Sequence, residues 1–451
     1  MCHGPLFGKI IRFSIPLMLS GILQLLFNAA DIIVVGRFVG STALAAVGST
    51  SSLINLLINL FIGFSVGANV LVARFHGAGR DDEVNETVHT AITLSMISGI
   101  FLLILGVTVT RTLLIWMGSP DDVLDQSSLY LKIYFLAMPA TLLYNFGSSI
   151  LRAVGDTKRP LFYLVTAGII NVCFNLFFVI VCHLGVAGVG LATVIAEYIS
   201  AALIIRCLMR SQGCCHLDLH QLGIVKGKLR QIMQIGLPAG MQGAVFSISN
   251  VLIQSSINSF GTDTIAAWTA YGKVDSIFWM IMGAYGVSIT TFAGQNFGAG
   301  KYDRIKKSVR ICLGLAAVTS LFLSFIVLNF GGTILLLFTR DTNVINICIG
   351  MMRVVSPAYI TYICIEILSG TCRGCGDSFF PMLLTCFGVC VLRILWITIA
   401  VPLRHEVATV AFSYPLTWTI TSILFILYYK RGKWMQKDTL RNAPQGQGKD
   451  A

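Results

Sequence analysis

Charge is scarce in this chain. Asp, Glu, Lys and Arg make up 12% of its 451 residues, where a soluble domain carries about a quarter. Beside 55% hydrophobic residues and a mean hydropathy of +0.80, so low a charged fraction excludes an ordinary soluble protein and points to an integral membrane protein. Catalytic signatures are missing too. The chain has no GxxxxGKS or GxxxxGKT phosphate loop, so an ATP-driven pump would need a partner subunit. Its seven histidines, His3, His76, His89, His183, His216, His220 and His405, fall near span ends or in loops. No nucleophile–base pair or metal set therefore converges at one membrane depth, which argues against an embedded enzyme.

Cysteine is plentiful, at thirteen residues, but its placement removes most of its meaning. Most cysteines sit singly in apolar runs, Cys173, Cys312 and Cys390 among them, where the thiol acts as a small hydrophobe. Cys372 and Cys375 form a CxxC, but the matching positions of an earlier copy are Leu151 and Val154, so the repeat does not require thiols. The tract CCHLDLH from Cys214 to His220 matches no standard zinc spacing and predicts no metal site. The first apolar run is too long for a cleavable signal peptide and lacks a small-residue cleavage site.

What is present is a duplication. LRAVGDTKRP at 151–160 and CRGCGDSFFP at 372–381 share Arg, Gly, Asp and Pro in order at an offset of 221. GAGRDDEV from Gly77 and GAGKYDRI from Gly298 repeat at the same offset, as do VGSTALAA at Val39 and FGTDTIAA at Phe260. At about 20 apolar residues per span, the chain divides into twelve, roughly 12–36, 47–73, 88–113, 128–151, 160–182, 187–208, 231–258, 264–292, 308–332, 345–371, 379–402 and 407–429. Unpaired backbone groups are too costly in hydrocarbon for anything but helices here. The fold predicted is an all-α membrane protein of twelve transmembrane helices in two six-helix lobes, related by a pseudo-two-fold axis along the membrane normal. In membrane proteins parallel repeats of this kind mark a transporter with its pathway between the halves.

The lobes are predicted at 1–208 and 231–430, joined by a cytoplasmic linker at 209–230 and followed by a cytoplasmic tail at 431–451. The net charge of +12 orients this arrangement. Of 32 Lys and Arg, 24 fall on the linker's side of the membrane and six on the other, which places both termini in the cytoplasm. Basicity thus needs no nucleic-acid partner; the surroundings are expected to be a lipid bilayer.

Sixteen of the twenty acidic residues lie in loops or tails, leaving Asp31, Glu197, Asp275 and Glu366 within spans. A carboxylate there is a functional candidate because its charged form is expensive. Asp31 is the foremost. It lies in NAADIIVVG with Asn28 one turn before it, and Pro16 stands fifteen residues upstream to bend the helix. Burial raises a carboxylate's pKa and a nearby cation lowers it, so a group in such a place can exchange a proton for a cation. Asn171 and Asn175 are four apart and share one helix face, and Thr193 brings a hydroxyl into an apolar run. Taken alone, these polar residues are better explained as glue between helices. Lys273, Asp275 and Glu366, with Arg373 two turns beyond Glu366, are candidates for a second polar site in the later half; a structural role is the simpler reading for Asp275, while Glu366 fits a functional or a structural role equally.

On IPLMLSGILQLLFNAADIIVVGRFVGSTALAAVG, the GAGRDDEV and GQNFGAGKYDRIKK loops, AAWTAYGKVDSIF and the two RxxGD loops, residues 9–430 resemble the multidrug and toxic compound extrusion (MATE) transporters. The chain is most similar to the prokaryotic DinF-like branch and its Firmicute relatives, which implies a monomer in a bacterial plasma membrane. The resemblance implies two six-helix lobes around a V-shaped cavity, no cofactor, and export of organic cations and drugs against inward H+ or Na+. It also implies an ion-coupling cluster of Asp31, Asn171 and Thr193, with Pro16 as the bending proline. The branch usually has an Asp where this chain has Asn175, which leaves Asp31 as the cluster's acid and the ion, H+ or Na+ at the Asp31 site, open. The NorM-like branch uses acids in its seventh and tenth spans, where this chain offers Gln242, Ser247, Ser249, Asn250 and Gln254 in the seventh and a Glu366 that does not align cleanly with the tenth.

The reading is a cation-coupled antiporter in which Asp31, supported by Asn28, Asn171, Asn175 and Thr193, binds the coupling ion. Cargo would meet aromatic and Met side chains; Phe38, Phe64, Phe278 and Trp279 are candidates, with packing or lipid contact the simpler role for each. The alternative is a flippase or exporter of a lipid-linked or other endogenous amphipathic metabolite, although such a cavity usually carries several basic residues and only Lys273 and Arg393 qualify. The second copy offers only Gln254 and Ser255 near the position of Asp31, so the duplication specifies a scaffold and the difference between its copies locates the ion site in the first lobe.

Overall fold

The computed structural model describes residues 1–116, 121–432 and 434. Fifteen α-helices are found among them: α1 Leu6–Phe38, α2 Ser41–Gly77, α3 Asp81–Trp116, α4 Asp121–Leu136, α5 Met138–Ala153, α6 Lys158–Leu176, α7 Gly185–Met209, α8 Lys226–Asn258, α9 Thr262–Gly298, α10 Tyr302–Leu335, α11 Thr342–Val355, α12 Tyr359–Gly374, α13 Phe379–Thr385, α14 Leu392–Leu403 and α15 Val407–Arg431. Short π-helical turns follow α6 and separate α13 from α14. The tail beyond Gly432, Trp434 apart, lies outside the described residues.

Eleven helical stretches among the described residues are long and apolar enough to cross a membrane. The missing member is the fourth span, expected as one run at 128–151. It is divided at Ala137 into α4 and α5, of 16 residues each. Pro139 sits in the first turn of α5, where its missing N–H needs no partner, and a composition-based reading passes straight through such a break. The corresponding span of the second copy is divided in the same way, at Ser356–Ala358 around Pro357. Counting each divided helix as one crossing gives twelve, six per repeat.

The duplication is visible in the backbone. Gly79 and Gly300 turn at φ of +70° and +69°, and Gly155 and Gly376 at +104° and +90°, so each repeated loop bends through the left-handed region where glycine alone is unstrained. Large apolar side chains point outward along the helices, Phe101, Phe322, Phe325 and Ile399 among them, as hydrocarbon requires.

The chain forms two compact units, residues 15–240 and residues 1–14 with 241–451. The lobes had been expected at 1–208 and 231–430. The difference arises because each repeat's opening helix changes unit partway along. Residues 226–240 of α8 pack in the first unit, where Gly236 and Gly240 meet Gly63 and Gly67 of α2. Residues 6–14 of α1 pack in the second, where the Ser14 and Ser288 hydroxyls lie 2.8 Å apart and Phe13 stands edge-on to Phe292.

Candidate functional site

Within the first unit, α1, α2, α4, α5, α6 and α7 enclose a cavity of about 330 Å³, enough for a small organic ligand. The helix periodicity that puts Asn28 and Asp31 on one face of α1 turns both toward it, and Asn171 on α6 and Thr193 on α7 line it as well. The expected residues form a chain of hydrogen bonds. Asn175 Nδ2 donates to Asp31 Oδ1 and, at 3.3 Å, to Asn171 Oδ1; Asn171 Nδ2 donates to Thr193 Oγ1 at 3.4 Å. Asn175 is fully buried, and its own Oδ1 has no partner among the described atoms.

Thr193 stands two turns inside α7, its hydroxyl donating back to Val189 O at 3.1 Å. Pro16 lies within α1, and Ser20 donates to its carbonyl at 2.8 Å. Gly168 admits the Phe27 ring, since a Cβ there would lie 1.9 Å from it.

Sequence reasoning left Glu197 unassigned. It lines the same cavity, four residues after Thr193 and therefore on the same face of α7. The aromatic lining was also missed. It consists of Phe27, Tyr130, Tyr134 and Tyr144, and no Lys, Arg or His belongs to the described lining. The cavity is thus lined by two carboxylates, four amides and four aromatic rings deep in apolar helices, a combination suited to a cation. Tyr130 and Tyr134, four apart on a short helix, were the signal available. By contrast Phe38 is exposed, Phe64 is buried in packing, and Phe278 and Trp279 belong to an aromatic cluster of the second unit.

The second polar site separates on folding. Lys273 is exposed while Asp275 is buried, so the two do not form the cluster proposed from their proximity in sequence. Asp275 instead accepts from Tyr359 OH and Trp279 Nε1, both at 2.6 Å, and from Tyr271 OH at 3.1 Å. Glu366 accepts from Tyr362 OH at 2.9 Å and lies 3.9 Å from Arg373, the partner its spacing indicated. Arg393 is buried over the Tyr414 ring at 4.1 Å. Asp275, with three donors, is held in a hydrogen-bonded network of its own, in which each hydrogen bond to a charged group is worth about 1.5–3 kcal/mol.

The linker is anchored. Asn85 donates to His216 O at 2.9 Å, the Asp218 amide to His89 Nε2 at 3.1 Å and the Val225 amide to Thr90 Oγ1 at 3.2 Å. Lys228 pairs with Glu83 at 2.5 Å. In CCHLDLH the Cys215 thiol, directed at Cys214 with His76 beside it, holds the Cys214 thiol down at about 6, and Cys215 itself is pushed up.

Comparison with known proteins follows the same outline. A family model described as MatE matches residues 16–177 and 238–399, once per repeat. The probable multidrug resistance protein YoeA of Bacillus subtilis is 28% identical over 440 residues, covering 95% of this chain and 94% of its own. An FAD transporter of Shewanella oneidensis is 22% identical and covers 77% of each chain. Among solved structures, a MOP superfamily transporter from Pyrococcus furiosus superposes with a TM-score of 0.90 at 21% identity, over 96% of this chain and 97% of its own.

Proposed function

The chain belongs to the MatE family, and from that premise we propose that it is a cation-coupled antiporter, driven by H+ or Na+, that exports organic and often cationic compounds by alternating access. As a family member it is a multi-pass membrane transporter and not an enzyme. The observation that carries the proposal is the contact of Asp31 with Asn175 in a cavity lined by acids and rings and by no basic side chain.

In the ionised state Asp31 attracts a cationic cargo and accepts a hydrogen bond from the Asn175 amide. Protonation, or a bound Na+, cancels that charge. The buried and unpartnered Asn175 Oδ1 is the acceptor that a protonated Asp31 needs: turning the amide converts a donor to the carboxylate into an acceptor from the acid. Asn175 thereby serves both states, which an Asp at that position would do only with a second proton. A pair of charges about 4 Å apart interacts by roughly 1–4 kcal/mol in surroundings between water and protein surface. Loss of one charge is therefore enough to change cargo affinity by about ten-fold or more. Release is coupled to bending of α1 at Pro16, where proline removes a helical hydrogen bond.

Export of an anionic or lipid-linked metabolite is the less supported reading, since such cargo calls for basic lining. The test is uptake of a fluorescent organic cation into everted vesicles under imposed pH or Na+ gradients. Asp31→Asn is expected to reduce gradient-driven uptake by at least about ten-fold, and intact transport in this variant overturns the assignment of the ion site.

A further inference from the structure

We propose that His76, Asp81 and Cys214 form a binding site for a zinc-class divalent cation, which clasps the linker to the α2–α3 turn. Their ligand atoms, one imidazole nitrogen, one carboxylate oxygen and one sulfur, all lie within 4.8 Å of one another. Cys214 Sγ stands 3.6 Å from His76 Nδ1. Two ligands of a tetrahedral zinc ion with bonds of about 2.0–2.3 Å are separated by roughly 3.3–3.8 Å, so this pair already has the spacing of a coordinated pair. Cys215 Sγ lies 4.0 Å from Cys214 Sγ and is not part of the trio.

The spacing CCHLDLH conceals such a site because its other ligands come from elsewhere. His76 ends α2 and Asp81 opens α3, and the turn through Gly79 brings them together. The duplication supplies an internal comparison. The equivalent residues of the second copy, at the offset of 221, are Phe297 and Tyr302, whose rings pack edge to face at 5.6 Å. The turn therefore juxtaposes these two positions in both copies. In the second copy they carry packing side chains; in the first they carry metal ligands, and there alone the linker brings a cysteine over them. Linker position is fixed independently by Asn85, His89 and Thr90, so the thiol is delivered by contacts outside the cluster. Sulfur, imidazole and carboxylate together favour zinc and its neighbours over calcium or magnesium, which prefer all-oxygen shells. Binding displaces the Cys214 proton.

The experiment is a Co2+ titration of the full chain in detergent, free of any histidine tag. One Co2+ per chain with a thiolate-to-cobalt charge-transfer band is expected, and Zn2+ should displace it. Cys214→Ser should abolish the band. The double variant His76→Phe with Asp81→Tyr, which installs the pair that the second copy already packs, should keep the fold and lower affinity by at least about 100-fold, or about 2.7 kcal/mol. Zn2+ should raise the thermal midpoint of the wild type and leave that of both variants unchanged. Absence of the charge-transfer band, its persistence in Cys214→Ser, or equal Zn2+ stabilisation of wild type and the double variant overturns the proposal.

Discussion

Replacing Glu197 with Gln separates two carboxylates that share one cavity. If Asp31 exchanges the coupling ion while Glu197 contributes only to the field felt by cargo, Glu197→Gln keeps gradient-driven transport but changes selectivity. For a bis-quaternary probe the apparent KM should rise about ten-fold, equivalent to about 1.4 kcal/mol, and for a monocation by less than about three-fold; vesicle uptake with the two probes in parallel measures both. Asp31 was legible in the sequence because acids are so rare in these spans, whereas Asn171 and Thr193 were joined to it by the family resemblance, which also singled out Asn175 as standing where an Asp is usual. Glu197 was equally visible as an acid. Its place in the cavity was not, since periodicity tells which residues of α7 lie together but not which neighbour they face.

Where α2 crosses α8, the contact is made by backbone. Gly63 and Gly67 on α2 meet Gly236 and Gly240 on α8, and a Cβ at Gly63 would lie 2.3 Å from Gly240 N, one at Gly67 2.4 Å from Ile232 O. Two small-xxx-small faces thus pack together, the arrangement by which membrane helices approach most closely. Gly63→Ala and Gly67→Ala should each cost about 1–3 kcal/mol, because no rotamer change relieves an overlap with main chain. Gly283→Ala in α9, whose added methyl meets nothing within 4 Å, should be neutral or slightly stabilising. Thermal unfolding in detergent compares the three, and equal behaviour would sink this account of the crossing. Both glycine pairs stand in plain view in the sequence, yet pairing α2 with the opening of α8 requires knowing that the first helix of the second repeat packs in the first unit.

Both crossings between the compact units occur beside a proline. The division falls between Ser14 and Ile15 in α1 and between Gly240 and Met241 in α8, close to Pro16 and Pro238, each inside its helix. Proline deletes a main-chain hydrogen bond, so each connecting helix is weakest near its change of unit, and both are fit to bend there. Pro238→Ala should therefore slow transport several-fold while leaving equilibrium binding of a fluorescent cation within about two-fold, and equal loss of binding and transport would show that Pro238 shapes the site instead. From the sequence alone came the twelve spans, the duplication, the repeated turns and the rare intramembrane acids, because hydropathy, glycine and intramembrane charge are properties of a residue and its near neighbours. The tertiary structure alone decided which faces meet: it set Asn175 against Asp31, added Glu197 and a ring of tyrosines, parted Lys273 from Asp275, and gathered His76, Asp81 and Cys214. Those pairings depend on how helices distant in sequence pack, and no local pattern encodes them.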